Sequence, residues 1–193
     1  MALASDVPTP SALESTLRAQ SQTRTLHDVR LHHLALQVLH NLQHQHRWTR
    51  LTTHTFSPLT GAPLPRPLIS GLPPARLYVH PDEQIELLKV EAERKRKGEE
   101  DRADGGGKED VFGAPEREWV LPTHLMEKWS LRQFAEVFDA ITVAPLDEEA
   151  GEGRELKGNK WRTTKRVVMA TVQDDSTVVY YLVHNGIVKP RQN

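Results

Sequence analysis

The sequence feature that most constrains the fold is a pair of apolar, β-branched runs near the C-terminus. KRVVMATV and TVVYYLVHNGIV are separated by the polar residues QDDS at positions 173–176. Two such runs joined by a short polar turn are typical of a β-hairpin. The second run is apolar at every position from Val178 to Val183, which predicts burial on both faces, either inside a sheet or by another chain. Because this run lies close to the end of the sequence, we expect an edge strand, which is an association site unless it is covered.

Periodic patterns upstream of the hairpin predict further helices and strands. Apolar residues recur at helical spacing from about Thr25, which predicts a first helix. The string HPDEQIELLKVEAERK has a proline and two acidic residues where a second helix can begin. Ser130 can cap a third helix. β-branched residues between Trp48 and Phe56 predict a strand, and EREWVLP predicts another. The prolines at 65, 67, 73 and 74 should confine strand pairing to short pieces such as 68–70 and 76–79.

The length of 193 residues allows one ordinary domain or two small ones. We expect a single domain over residues 25–193, preceded by a disordered or loosely helical segment, 1–24. Residues 93–110 contain one hydrophobic residue, Ala103, among eighteen, and such a segment cannot offset the entropy of ordering. We therefore predict a disordered charged insertion at about 93–113, and a loop at about 146–160 because that segment is rich in glycine and charge.

Composition excludes several classes of function. The chain has no cysteine, which excludes disulfides, thiolate zinc sites and a cysteine nucleophile. Its net charge of −1 gives no global attraction to nucleic acid or anionic lipid, so binding of either must come from a local patch. The longest apolar run is far shorter than the roughly 20 residues of a membrane-spanning helix, and no secretory signal is readable at the N-terminus.

Two histidine patterns have weak chemical meaning. His40 and His44 share one helix face at a spacing that can hold a metal ion, but they lack an acidic third ligand and an HExxH motif. Ser176 and His184 follow two aspartates, yet a serine in a short acidic turn lacks the strained elbow and the oxyanion donors of a hydrolase. We predict neither a metal site nor a catalytic triad.

Two charged segments each allow two interpretations. Between Arg154 and Arg166, six cations face a single carboxylate, Glu155. The segment is typical of a phosphate-binding loop in which Trp161 stacks on a base, and equally of a solvated loop leading into a strand. The acidic hairpin turn either keeps the hairpin tip in water or gives a basic cleft charge-assisted hydrogen bonds. The candidate RNA-binding residues are Lys157, Lys160, Trp161, Arg162, Lys165 and Arg166.

Three strings in a fixed order carry a family resemblance. RPLISGLPPARLYVHPDEQIELL, EREWVLPTHLMEKWSLRQFAEVFDAI and KRVVMATVQDDSTVVYYLVHNGIVKPRQN together resemble the small non-catalytic subunit of the eukaryotic tRNA-splicing endonuclease in its fungal form. The likeness covers most of the chain from about Leu26 to Asn193. It implies an α+β, nuclease-like fold, a mixed or antiparallel sheet packed by helices as in the C-terminal domain of tRNA-intron endonucleases, which agrees with the elements above.

The resemblance also implies a place in an enzyme complex. The family's complex is a heterotetramer of two catalytic and two structural chains, in which this chain would pair with the smaller catalytic subunit, the one that cuts the 3′ splice site. A homodimer is one alternative when the chain is alone. The catalytic subunits use a tyrosine, a histidine and a lysine, require no metal or cofactor, and leave a 2′,3′-cyclic phosphate and a 5′-hydroxyl. Lys165 matches that lysine, but no tyrosine motif accompanies His124, so this chain alone should not cut RNA.

The family inserts an acidic turn into a basic cleft across the assembly and pairs C-terminal strands between neighbouring subunits. By this resemblance we expect a non-catalytic structural subunit that supports cleavage of introns from precursor tRNA; the alternative is a free-standing RNA-binding module that uses residues 154–166. The expected compartment is the nucleus, or the cytosolic face of mitochondria in some fungi. The expected partner-binding residues are Asp174, Asp175, Thr177, Val178, Val179, Tyr180, Tyr181, Leu182 and Val183.

Overall fold

A computed structural model of the chain describes residues 11, 12, 15, 27–96, 114–146 and 159–187. Within these residues, three long helices and five strands form an α+β domain, which confirms the predicted fold class. The helices are α1 (Val29–His44), α2 (Pro81–Arg96) and α3 (Leu131–Ala140). The strands are β1 (Thr49–Phe56), β2 (Pro63–Leu72), β3 (Glu118–His124), β4 (Arg166–Val172) and β5 (Val178–His184).

The five strands form one mixed sheet in the order β1-β2-β3-β4-β5. All neighbours are antiparallel except β3 and β4, which are parallel. The predicted hairpin is confirmed, because β4 and β5 pair in continuous register from Arg166↔His184 to Val172↔Val178. Since β3 and β4 run the same way, His124 lies beside Val172, and the loop after β3 meets the turn after β4 at one end of the sheet.

Alternation along the strands divides the core into two layers. α1 covers one face of the sheet, where Val168, Ala170 and Val172 of β4 pack with Val38 and Leu42 of the helix. On the other face, α3 contributes Val137 and Phe138 to a cluster that contains Trp119, Leu121 and Val167. Successive residues of a strand point to opposite faces, so a single strand such as β4 serves both layers.

Local capping explains where two of the helices begin. The Asp28 carboxylate accepts the Arg30 N–H at 2.9 Å, so α1 starts at Val29, a few residues after the predicted position near Thr25. The Ser130 hydroxyl accepts the Gln133 N–H while the Gln133 side chain accepts the Ser130 N–H. This reciprocal capping box satisfies donors that otherwise have no partner in the first turn, and it confirms the predicted cap of α3.

Of two predictions for the proline-rich region, one holds in part and one is wrong: residues 68–70 pair with consecutive residues of β1, but they belong to a longer strand. β2 is one long strand, Pro63–Leu72, that runs through Pro65 and Pro67. Its pairing with β3 is confined to residues 69–71, so the two prolines lie where β2 has only β1 as a neighbour, and a missing N–H is tolerated there. Residues 76–79, predicted as a strand piece, form a loop that leads into α2.

α2 extends further and is more exposed than the sequence predicts. It begins at Pro81 as expected but ends at Arg96, so the first four residues of the predicted insertion are helical. Its apolar residues Ile85, Leu88 and Val90 are about half exposed. The remainder of the predicted insertion and residues 147–158 of the predicted loop lie outside the described residues. No helix in the described ranges is long and apolar enough to cross a membrane.

Candidate interaction surface

β5 is the last strand of the sheet, as predicted, and its two faces differ. Val178, Tyr180 and Leu182 pack against the α1 layer. On the α3 side, Val179 and Tyr181 keep 45% and 55% of their surface exposed, because α3 covers the sheet only as far as Val183. Burial of both faces within the chain is therefore wrong. Among the described strands β5 has a neighbour on one side only, β4, and two exposed apolar side chains lie beside its other edge, an arrangement suited to strand addition by a partner.

The adjacent residues Tyr180 and Tyr181 have different roles. The Tyr180 hydroxyl donates to Asn41 Oδ1 at 2.5 Å, and its ring meets the edge of His46 with centroids 5.0 Å apart. Burial raises the pKa of Tyr180, so the phenol stays protonated and keeps its donor. Tyr180 thus anchors β5 to α1, whereas Tyr181 projects from the opposite face of the strand.

The acidic turn between β4 and β5 is held by its own hydrogen bonds. The Gln173 and Ser176 N–H groups donate to Thr177 O and Gln173 O, both at 2.9 Å. Asp175 Oδ1 accepts the Thr177 N–H at 2.9 Å, which lowers the pKa of this exposed carboxyl. Ser176 adopts a left-handed φ of 68°. The turn is therefore an ordered element that presents the side chains of Asp174 and Asp175.

The end of β3 supports the turn through His124. His124 Nδ1 accepts the Met126 N–H at 3.3 Å, so in the neutral ring Nε2 carries the proton, and Nε2 lies 3.0 Å from Asp174 Oδ1. The Leu125 N–H donates to Val172 O at 2.9 Å. These contacts leave the Leu125 side chain half exposed and Met126 77% exposed next to the turn. Sequence reasoning missed this loop, because only the parallel pairing of β3 and β4 brings it to the hairpin.

The predicted RNA-binding residues are engaged within the chain where they are described. Lys160 Nζ donates to Glu86 of α2 at 2.8 Å, and Trp161 stacks on His80 with ring centroids 5.4 Å apart. Lys165 Nζ donates to Phe138 O at 2.7 Å, near the C-terminus of α3, where a cation complements the helix dipole. Lys157 lies outside the described residues.

Arg162 and Arg166, which we predicted to bind RNA, are buried. Their side chains are 5% and 4% exposed, and both pair with Glu118, which is fully buried. Arg162 Nη2 lies 2.9 Å from one Glu118 oxygen, and Arg166 Nε donates to both oxygens at 3.1 and 3.2 Å. The guanidinium groups of both arginines are therefore occupied by carboxylates of the same chain.

Glu118 belongs to a buried network of three arginines and three glutamates, which we call the ion network. Glu116 lies at 3.0 Å from Arg162, 2.9 Å from Arg166 and 2.7 Å from Arg76, and Arg76 also pairs with Glu83 of α2 at 2.9 Å. Burial alone would raise the pKa of Glu116, but the hydrogen bond from Asn159 and the charges of the three arginines outweigh it and lower that pKa. The charges balance, as a buried cluster requires. Sequence reasoning missed this network, because the carboxylates that Arg162 and Arg166 contact lie 44 to 50 residues before them.

The residue types of the family's catalytic chemistry do not come together in the described residues. Tyr78 and His184 are in ring contact, with centroids 4.8 Å apart, and Tyr78 lies under Arg166. Lys165 contacts α3 on the other face of the sheet. Burial, and then the charge of Arg166, lowers the pKa of His184, so this histidine is neutral. His124 is at the opposite end of the sheet.

The other two chemical patterns also stay without a site. Ser176 lies in the turn before β5, whereas His184 is the last residue of that strand, so they form no nucleophile–base pair. The His40 and His44 rings are 4.4 Å apart, yet in the ranges that the structure describes no three His, Asp or Glu side chains converge as metal ligands.

Comparison with known proteins places the chain in a family. The family model described as "Sen15 protein" matches residues 37–193. The chain is 48% identical over 170 residues to the "Probable tRNA-splicing endonuclease subunit tsp-1" of Neurospora crassa, covering 86% of this chain and 68% of that protein. It is 35% identical over 78 residues to the "Probable tRNA-splicing endonuclease subunit sen15" of Schizosaccharomyces pombe, and 34% identical over 76 residues to the "tRNA-splicing endonuclease subunit SEN15" of Eremothecium gossypii. Each of these two matches covers 39% of this chain, and 50% and 52% of the respective relative. The resemblance drawn from the sequence is thereby confirmed, and the chain belongs to the Sen15 family.

Proposed function

We propose that this chain is a non-catalytic subunit of a tRNA-splicing endonuclease, which stabilises a catalytic subunit while that partner cleaves introns from precursor tRNA. The observation that carries the proposal is the β5 edge, whose backbone groups and exposed Val179 and Tyr181 side chains lie beside an ordered acidic turn. The names of the relatives, each a subunit of a tRNA-splicing endonuclease, support the proposal that this chain belongs to such an enzyme complex.

The partner surface has two chemically distinct parts. The β5 edge offers main-chain hydrogen bonds to a partner strand, and Tyr181 supplies a large side chain of the type enriched in binding hot spots. The turn offers Asp174 and Asp175 to a basic cleft, where exclusion of water would strengthen each charge-assisted hydrogen bond. Leu125 and Met126 add an apolar margin next to these carboxylates.

The proposed chemistry belongs to the partner. Lys165 is bonded to Phe138 O, and a lysine without a base and an acid cannot remove the 2′-hydroxyl proton and protonate the leaving group. The catalytic partner of this chain would be the smaller catalytic subunit of a nuclear heterotetramer. That subunit would form the 2′,3′-cyclic phosphate without a metal. Without that partner, the same β5 edge would pair with a second copy.

A charge reversal tests the docking of the turn. In complexes reconstituted with the catalytic subunits of the same organism, Asp174→Lys with Asp175→Lys should abolish co-purification and precursor-tRNA cleavage, because two anions are turned against a basic cleft. Glu136→Lys with Asp139→Lys is the matched control: it changes the charge equally at two exposed carboxylates of α3. Assembly that survives the first pair, or fails equally with the control pair, refutes the docking role of the turn.

A further inference from the structure

The N-terminal half of the domain contains a long segment without any carboxylate. Residues 29–81 hold five arginines and seven histidines but neither Asp nor Glu, although about seven acidic residues are expected at the mean frequency of the chain. The remaining 140 residues carry 20 Lys+Arg against 26 Asp+Glu. Of these arginines, Arg66 pairs with Glu127 and Arg76 belongs to the ion network, so the positive charge of this segment lies with α1 and the residues just after it.

Helix α1 arranges part of this charge in a stripe. Its members follow one another at intervals of three and four residues, which places them on one helix face. The core positions of α1, among them Ala35, Val38 and Leu42, occupy another face. All members of the stripe are partly or fully exposed, although His33 Nε2 is buried. The other side chains can donate hydrogen bonds outward, and the stripe is about 21 Å long at 1.5 Å per residue. The α1 stripe consists of Arg30, His33, Gln37, His40 and His44, and Arg47 follows one step beyond the helix.

Arg47 is held in an unfavourable backbone conformation. Its φ is 55°, in the left-handed region where a glycine usually ends a helix. The surrounding backbone is tied down, because His46 N–H donates to Asn41 O at 3.3 Å and Trp48 N–H donates to Leu42 O at 3.0 Å. A cation near this end also complements the helix dipole, but that effect does not require a left-handed residue. Strained, exposed positions of this kind are typical of functional sites.

From the stripe and the strain together, we propose that the α1 stripe with Arg47 binds the phosphodiester backbone of RNA. Arginine and neutral donors spaced at each helical turn suit a row of phosphate and ribose oxygens. Asp28, at the start of α1, is the nearest acidic residue in sequence and is engaged by the Arg30 N–H. This site is distinct from the 154–166 segment, in which Arg162 and Arg166 are buried, and it does not depend on docking of the acidic turn.

The first test uses the full chain and a fluorescent RNA stem-loop, with affinity measured over a range of salt concentrations. Arg30→Gln with Arg47→Gly should weaken binding and lower the slope of log K against log[salt] by about 1.5. Glycine relieves the strain at position 47, so the melting temperature should not fall, which separates the effect from misfolding. Lys128→Gln with Arg132→Gln removes the same charge on the α3 side. An unchanged slope in the first variant, or an equal loss in the control, overturns the proposal.

The second test uses the reconstituted complex with radiolabelled precursor tRNA. Gln37, in the middle of the stripe, is replaced by a photo-crosslinking amino acid, and the adduct is identified after irradiation. An RNA adduct is expected. An adduct to another subunit alone would show that the stripe is a protein interface, and no adduct would show that it faces neither; either result overturns the proposal.

Discussion

The ion network allows a sharp prediction, since Glu118 is fully buried between two arginines whose side chains are 5% and 4% exposed. Replacing Glu118 with Gln preserves its size but removes its charge. Arg162 and Arg166 then share Glu116, and one buried positive charge is left without compensation. Removing one partner of a buried ion pair typically costs about 3–5 kcal/mol.

That loss is a large part of the total stability of a domain, about 5–15 kcal/mol. For a chain of this size it corresponds to a fall in melting temperature of about 6–20 °C. Circular dichroism during heating and urea titration measure the change directly. The matched control is Glu86→Gln, which breaks the exposed pair with Lys160 and should change the free energy of unfolding by about 1 kcal/mol or less.

A double substitution tests whether charge balance is the cause. Glu118→Leu with Arg162→Met removes one charge of each sign and leaves two glutamates and two arginines in the network. Most of the lost stability should return, because a buried pair replaced by apolar side chains of similar volume is often neutral. A loss below about 1 kcal/mol in Glu118→Gln, or a double variant as unstable as the sum of its single changes, would contradict the reasoning.

Three further predictions follow from the same structure. Tyr180→Phe should lower stability by about 0.5–1.5 kcal/mol through loss of the hydrogen bond to Asn41 and leave assembly intact. Tyr181→Ala should weaken assembly and leave the melting temperature of the isolated chain unchanged. The reverse pattern would refute the assignment of the two faces of β5. Because the pKa of Glu116 is lowered from 4.5, the stability that this carboxylate contributes is complete above about pH 4.5 and is lost as the pH falls. The melting temperature of Glu116→Gln should therefore depend less on pH between about 5 and 3 than that of the parent. Parallel curves for the two proteins would contradict this. Met126→Ser should weaken co-purification with the catalytic subunit while Leu88→Ser, at an exposed site on α2, should not; equal effects would exclude a specific role of Met126.

The elements that depend on nearby residues were predictable from the sequence. The β4–β5 hairpin follows from two apolar runs and a polar turn, and the start of α3 follows from Ser130 and Gln133, three residues apart. The length of β2 was not predictable, because Pro65 and Pro67 are tolerated only where a neighbouring strand is missing, and sheet order decides that. Exposure of the α2 apolar residues was missed for the same reason, since periodicity predicts a face but does not supply the surface that covers it.

For the interaction surface and the ion network, too, the sequence predicts local features but not the contacts between distant residues. The acidic turn and the edge strand could be located from their own residues. The partner of Asp174 is His124, fifty residues earlier, and the partners of Arg162 and Arg166 precede them by 44 to 50 residues. These contacts depend on the parallel pairing of β3 with β4. From the sequence alone, the segment 154–166 therefore resembles a nucleic-acid site, whereas in the fold its residues Arg162 and Arg166 contact carboxylates.

The opposite orientation of Tyr180 and Tyr181 makes the hairpin intolerant of changes in length. Side chains in a strand alternate with a period of two, so inserting or deleting one residue in β5 exchanges every position between the two faces. The phenol that should reach Asn41 would point into solvent, and the ring that should meet a partner would be forced against α1. Such a one-residue shift in register would leave the composition of β5 almost unchanged, yet folding and assembly would fail together.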